Sequence, residues 1–229
     1  MVIGGLQKFS LADFPGKIAA IVFSQGCNFR CPYCHNPELV DPARYATPIL
    51  QEEVFQFLAT RKGQLQGVVV TGGEPTQQED LPEFLAAIKD LGLAIKLDTN
   101  GSNPALLGEV LARGLVDYLA MDIKAPLGSY SRVAGVQVGT EDIEKSMRLV
   151  MGSGVAHEFR TTYLESLLSK DDMRGIAELV RGCHLFVLQS FRSAKTLDPD
   201  IHGQPMPGGK RLREIQELME SSGTRVLVR

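Results

Sequence analysis

Short, nearly continuous apolar runs alternate along this chain with stretches in which apolar side chains recur at helical spacing. That alternation predicts βα units around a parallel sheet. Strands are predicted at 19–24, 67–71, 93–98, 116–124, 158–164 and 185–190, with a short terminal run at 224–228. Their unbroken apolar character suits strands covered on both faces. Between them, Thr47-Pro48 opens a helical run carrying Val54, Phe57 and Leu58, and Asn103-Pro104 opens one with Leu107, Val110 and Leu111. Asp80 with Glu83, and Ser169 with Asp172, read as capping boxes. A last helix is predicted at 209–222. The segments 36–46 and 191–208 carry no regular pattern. Six βα units are fewer than the eight that close a barrel, so an open or partial barrel is expected, with ligand sites at the carboxyl ends of its strands.

The chain has 229 residues, 44% hydrophobic and 22% charged, which suits one domain spanning 1–229. A net charge of −3 gives no general attraction to nucleic acid or an anionic membrane. The sequence contains neither a membrane-length apolar run nor a leader pattern, so a cytoplasmic protein is expected.

Three of the four cysteines, Cys27, Cys31 and Cys34, follow the first predicted strand in a C-x3-C-x2-C pattern. Such crowding suits metal binding better than disulfides. Three thiolates leave a tetrahedral zinc site or an ordinary 4Fe-4S cluster one ligand short, so a cluster held here keeps one iron open. Other strand ends carry Gly72-Gly73-Glu74-Pro75, Asp98-Thr99-Asn100-Gly101 and Asp122-Ile123-Lys124, and Arg160 lies within a strand. Each has a plainer reading: a turn at the glycines, helix capping by Asp98 or Asn100, a surface ion pair between Asp122 and Lys124, and a solvent-facing arginine. Cys183 reads as a small buried residue. His35 could serve the cysteine loop or simply turn it, and His157, His184 and His202 match no metal spacing.

Together these residues resemble the radical S-adenosylmethionine (SAM) enzymes, with Tyr33 fitting the aromatic position before the last cysteine. The stretch from Gln25 to Pro37, with Asp13-Phe14-Pro15-Gly16 and the three strand-end motifs, is similar to the glycyl-radical-enzyme activases. Phe9-Ser10-Leu11 leading into Asp13 to Lys17 is similar to the anaerobic ribonucleoside-triphosphate reductase activating proteins. The resemblance implies a partial (βα)6 TIM-like barrel and one 4Fe-4S cluster on Cys27, Cys31 and Cys34. It also implies SAM as the group that is cleaved, with no protein catalytic group beyond the two cofactors. Gly72, Gly73 and Glu74 would meet the methionine amino group. Asp122 and Lys124 would meet the ribose and carboxylate region, with Arg160 near the carboxylate. Asp98, Thr99 and Asp122 match positions around a monovalent cation. The implied partners are a glycyl radical enzyme, with anaerobic ribonucleoside-triphosphate reductase expected, and a flavodoxin or ferredoxin-type electron donor. One departure stands out: where pyruvate formate-lyase activases carry a histidine near the end of the sixth strand, this chain reads Val187-Leu188-Gln189-Ser190-Phe191. The alternatives are a radical SAM enzyme acting on a small molecule, like 7-carboxy-7-deazaguanine synthase, and a non-catalytic iron-sulfur binding or electron-transfer module.

Overall fold

The apolar runs form strands close to where the pattern places them. In the computed structural model, which describes residues 1–229, these are β1 (Ile3–Ser10), β2 (Ala19–Ser24), β3 (Gly67–Gly72), β4 (Ala94–Thr99), β5 (Tyr118–Asp122), β6 (Ala156–Tyr163), β7 (Phe186–Ser190) and β8 (Val226–Val228). They belong to one sheet whose order follows the sequence, with β1 and β8 at its edges. β1 runs antiparallel to β2, whereas β2–β3, β3–β4, β6–β7 and β7–β8 pair in parallel. The α/β class expected from the alternation is therefore the class observed.

The helices are α1 (Pro37–Val40), α2 (Gln51–Thr60), α3 (Leu81–Asp90), α4 (Pro104–Ala112), α5 (Tyr130–Ala134), α6 (Thr140–Gly152), α7 (Lys170–Leu179) and α8 (Gly209–Glu220). Their starts follow local chemistry. Asn103 accepts from the Leu106 N–H at 3.2 Å to cap α4. Ser169 and Asp172 form the expected reciprocal capping box on α7. Asp80 precedes α3 but makes no capping bond, because its carboxylate is taken by the Met1 ammonium and by Gln51 Nε2.

The Thr47-Pro48 start is also displaced. Ile49 donates to the Ile3 carbonyl at 2.8 Å, which holds this stretch extended and delays α2 to Gln51. β1 itself is missed by the apolar pattern because, as an edge strand, only Ile3 and Ser10 are buried. The first irregular segment contains α1 and a short 3-10 turn, and the second contains a 3-10 turn at Pro199–Ile201.

Contacts within the chain divide it into two interleaved units. The first comprises residues 1–28, 38–119 and 142–156; the second comprises 29–37, 120–141 and 157–229. In the first, Phe14, Ala19, Ile21 and Val69 form a core cluster against which Phe23, Ala94 and Tyr118 pack. Phe84 on α3, 2% exposed, meets Phe55 on α2 at 5.2 Å between ring centres. In the second, Phe159, Tyr163 and Phe186 are fully buried, and α7 and α8 carry buried Met173, Ile176, Leu212 and Ile215. No helix is long and apolar enough to cross a membrane. Because Phe84 is close-packed, Phe84→Ala should cost about 3–5 kcal/mol in urea unfolding. A loss below about 1 kcal/mol would show that the α2–α3 contact is not part of the core.

Candidate functional site

In the first unit, the chain leaves β2 and turns at Gly26 just before Cys27. The Gly26 N–H bonds to the Leu39 carbonyl and the Glu74 N–H to the Gly26 carbonyl, both at 2.8 Å. Gly73 lies so close to this turn that a Cβ there would sit 2.0 Å from the Gly26 carbonyl oxygen. No side chain can occupy that position without moving backbone. The paired glycines therefore do more than make a turn, since one seats the cysteine loop on the end of β3.

Glu74 is 1% exposed and organises the neighbouring strand end. Its Oε1 accepts from the Thr76 N–H (3.0 Å), the Thr76 hydroxyl (2.7 Å) and the Thr99 hydroxyl (2.7 Å). Oε2 accepts from the Asn100 N–H at 2.6 Å. Burial pushes this carboxyl up from its ordinary value, against the pull of those donors. Asn100 in turn gives its side-chain amide to Asn28 Oδ1 at 3.0 Å, and Asn28 reaches the Ser102 hydroxyl at 2.8 Å. Asp98 does not cap α4; it bonds the ammonium of Lys96, two residues back on the same face of β4.

In the second unit, Cys31 to Cys34 forms a tight turn, with the Cys34 N–H on the Cys31 carbonyl at 3.0 Å. Arg30 N–H bonds the Ala134 carbonyl at 2.8 Å. Gly135, with φ of 72°, follows α5, and a Cβ on it would lie 2.1 Å from the Arg30 carbonyl oxygen. The segment 191–208 also touches this loop. His35 Nε2 lies 2.9 Å from the Arg192 carbonyl, its ring stacks on Phe191 at 5.9 Å, and Asp198 N–H bonds the Pro32 carbonyl at 3.0 Å.

Asp122, Lys124 and Arg160 form one cluster rather than separate surface groups. Asp122 accepts from Arg160 Nε at 2.7 Å through Oδ1 and from Lys124 Nζ at 3.0 Å through Oδ2. Burial alone would push the Asp122 carboxyl up, but the two cations outweigh it and hold it well below the usual carboxylate range. Burial likewise opposes the Lys124 charge, and Asp122 overrides it, carrying Lys124 well above its ordinary value. The ammonium also lies 5.8 Å from the centre of the Tyr33 ring, between the last two cysteines in sequence. Burial pushes the Cys31 thiol up while Lys124 pulls it down, so metal ligation must displace a proton there.

None of the four cysteines is in a disulfide, and a thiol-ligated cluster needs reduced cysteines. No three His, Cys, Asp or Glu side chains converge as a ready-made ion site anywhere in the chain, so the cluster assignment rests on donor chemistry, number and spacing. Cys183 is buried, its thiol pushed up to about 11 by burial, as suits a packing residue. Sequence reasoning gave no role to Lys96 or Gly135, and did not separate Asn100 from its motif. The alternation of Lys96 and Asp98 on one strand face was the available signal for the first.

Comparison with known proteins places this architecture. Residues 21–181 match the model of the radical SAM superfamily. A protein of Methanocaldococcus jannaschii, whose name carries the words glycyl-radical enzyme activating enzyme, is 30% identical over 100% of this chain and 95% of its own. The pyruvate formate-lyase-activating enzyme of Clostridium pasteurianum is 30% identical over 79% of this chain and 78% of its own. In fold, a domain of pyruvate-formate lyase-activating enzyme from Bacteroides vulgatus superposes with a TM-score of 0.58 at 17% identity, over 71% of this chain and 98% of that one. The chain belongs to the radical SAM superfamily, in the family of glycyl-radical-enzyme activating enzymes. Its open α/β sheet is accordingly the partial TIM-like barrel of radical SAM enzymes, and its class is enzyme, not electron-transfer module.

Two expectations follow. Gly73→Ala should lower the iron and sulfide retained after anaerobic reconstitution, because the new methyl group displaces the Gly26 turn; full retention would contradict that seating. Asp122→Asn should destabilise the protein at pH 7, with the difference from wild type shrinking as pH falls below about 4. The sign follows from the depressed carboxyl, whose stabilisation is present above the unfolded-state value and lost as the group protonates. Urea unfolding from pH 3 to 7 measures it, and a pH-independent difference would contradict it.

Proposed function

We propose that the protein installs a glycyl radical on a partner enzyme by reductive cleavage of SAM, with anaerobic ribonucleoside-triphosphate reductase as that partner. The single observation that carries the reading is the full-length similarity to an activating enzyme, 30% identity over 100% of the chain. The local geometry supports it, since the Gly26 turn before Cys27 is locked to Gly73-Glu74.

A 4Fe-4S cluster with one open iron would bind SAM and supply the one-electron reduction that its cleavage requires, with a glycine Cα hydrogen of the partner as the atom removed. The chain's own residues do the rest. Cys27, Cys31 and Cys34 hold the three other irons. One cluster is expected, because no further cysteine set is present. Gly72 and Gly73 bring backbone close to the methionine end of SAM, and Glu74 Oε2, which takes only the Asn100 N–H, has capacity left to accept from the amino group. Arg160, bonded to Asp122, is assigned to the SAM carboxylate, while Asp122 and Lys124 serve the ribose and carboxylate region. These contacts orient SAM and exclude water from the radical.

The reducing equivalent is assigned to a flavodoxin or ferredoxin-type donor. Cysteines outside disulfides and oxygen-labile chemistry suit the cytoplasm. The motif used to select the reductase also has a local job. Ser10 bonds Asp13, and Phe14 packs in the core cluster beneath Lys17, 5.8 Å from the ring centre. The partner choice therefore rests on resemblance at Phe9 to Lys17.

The test is anaerobic reconstitution with SAM, reductant and the reductase. A glycyl doublet in the electron paramagnetic resonance spectrum, with 5′-deoxyadenosine formed, is expected. Formation of 5′-deoxyadenosine without any doublet on candidate partners would instead favour a small-molecule substrate, and no 5′-deoxyadenosine at all would end the radical-enzyme reading. The irregular segment 191–208 is assigned to partner docking: deletion of 199–207 should abolish activation of the partner while leaving uncoupled SAM cleavage within about threefold of wild type, and intact activation would contradict that assignment.

A further inference from the structure

Within the first unit, the residues that lead from β2 into Cys27 are held on both sides. Toward β3, the Ser24 carbonyl accepts from the Gly73 N–H at 2.9 Å and the Gly26 carbonyl from the Glu74 N–H at 2.8 Å. Toward β1, Ile3 faces Ser24, so the next pair in this antiparallel register is Val2 with Gln25. Facing residues in such a ladder exchange both N–H···O bonds at alternate positions. One of the two is direct here, from the Gln25 N–H to the Val2 carbonyl at 3.0 Å. The return bond passes through a side chain: the Val2 N–H donates to Gln78 Oε1 at 2.9 Å, and Gln78 Nε2 donates to the Gln25 carbonyl at 3.0 Å.

Gln78 therefore stands as a wedge, one amide wide, on one side of this ladder pair. Local structure puts it there. After Glu74 the chain makes the 3-10 turn Pro75–Gln77, which the Gln78 N–H closes on the Pro75 carbonyl at 3.0 Å. An amide completes the ring because it carries a donor and an acceptor side by side. A carboxylate would set oxygen against the Gln25 carbonyl, and a short apolar side chain would let Val2 and Gln25 close on each other. Directly beyond the wedge the chain turns at Gly26, with φ of 100°, into Cys27.

We propose that Gln78 is a positioning residue for the cluster ligand Cys27. It acts through the Gln25 carbonyl: by keeping Gln25 off the Val2 N–H, it sets the path of the turn that presents the thiol. The proposal rests on the reading of Cys27 as a cluster ligand. Gln78→Ala removes the wedge and lets the direct Val2–Gln25 bond form, so the fold keeps its bonds while the turn moves. Gln78→Glu still accepts from Val2 but repels the Gln25 carbonyl, which separates anchoring of Val2 from positioning of the turn.

The test follows iron loss to excess bathophenanthroline disulfonate from anaerobically reconstituted wild type and both variants, beside urea unfolding of each apoprotein. Both variants should lose iron about tenfold faster than wild type, with apoprotein midpoints within about 0.5 M of it. Iron loss within about twofold of wild type in either variant would overturn the proposal. So would an apoprotein midpoint lowered by more than about 0.5 M, or a variant that does not fold, because Gln78 would then support the fold at large. A wild type that takes up no iron on reconstitution would instead overturn the reading of Cys27 as a ligand, and this proposal with it.

Discussion

The close approach of Gly73 to the Gly26 carbonyl is the constraint on which the first cysteine's position depends. At a separation that leaves no room for a Cβ, the end of β3 becomes the floor under the turn into Cys27. The next residue, Glu74, uses its N–H to bond that same carbonyl and its carboxylate to gather Thr76, Thr99 and Asn100. One buried acid thereby ties the end of β3 to the end of β4. Because a buried carboxylate without donors is costly, four donors on Glu74 also specify one arrangement of those strand ends. Asn100 extends the same order to Asn28, beside Cys27.

The second unit solves a similar problem with charge. Asp122, Lys124 and Arg160 come from β5, the turn after it and β6, and each is buried enough that its partners decide its state. Carboxylate and cations stabilise one another's charged forms against burial. Gly135 and the Ala134 carbonyl meanwhile hold Arg30, so the stretch before Cys31 is fixed by backbone contacts, not by packing alone.

Much of this was legible in the chain because strand ends carry both fold and chemistry. Continuous apolar runs gave β2 to β7, and the cysteine spacing gave a donor set one short of a closed site. What escaped the pattern has physical reasons. β1 is an edge strand buried only at its ends, and its pairing with Ile49 delayed α2 past Pro48. Asp80 caps nothing because a stronger charge takes its carboxylate. Lys96 was overlooked because a lysine in an apolar run reads as an interruption, whereas Asp98, two residues on along the same strand face, pairs with it. α6, with Ile143, Met147 and Val150 buried on one side, was visible in its spacing but lay outside the helices read.

The central proposal is that Cys27, Cys31 and Cys34 leave an iron to which SAM binds directly. The most direct measurement is electron paramagnetic resonance of the reduced, reconstituted protein with and without SAM, using SAM labelled with oxygen-17 in its carboxylate. The account predicts a changed cluster spectrum on adding SAM, with lines broadened by the labelled oxygen. A spectrum unaltered by saturating SAM would contradict it.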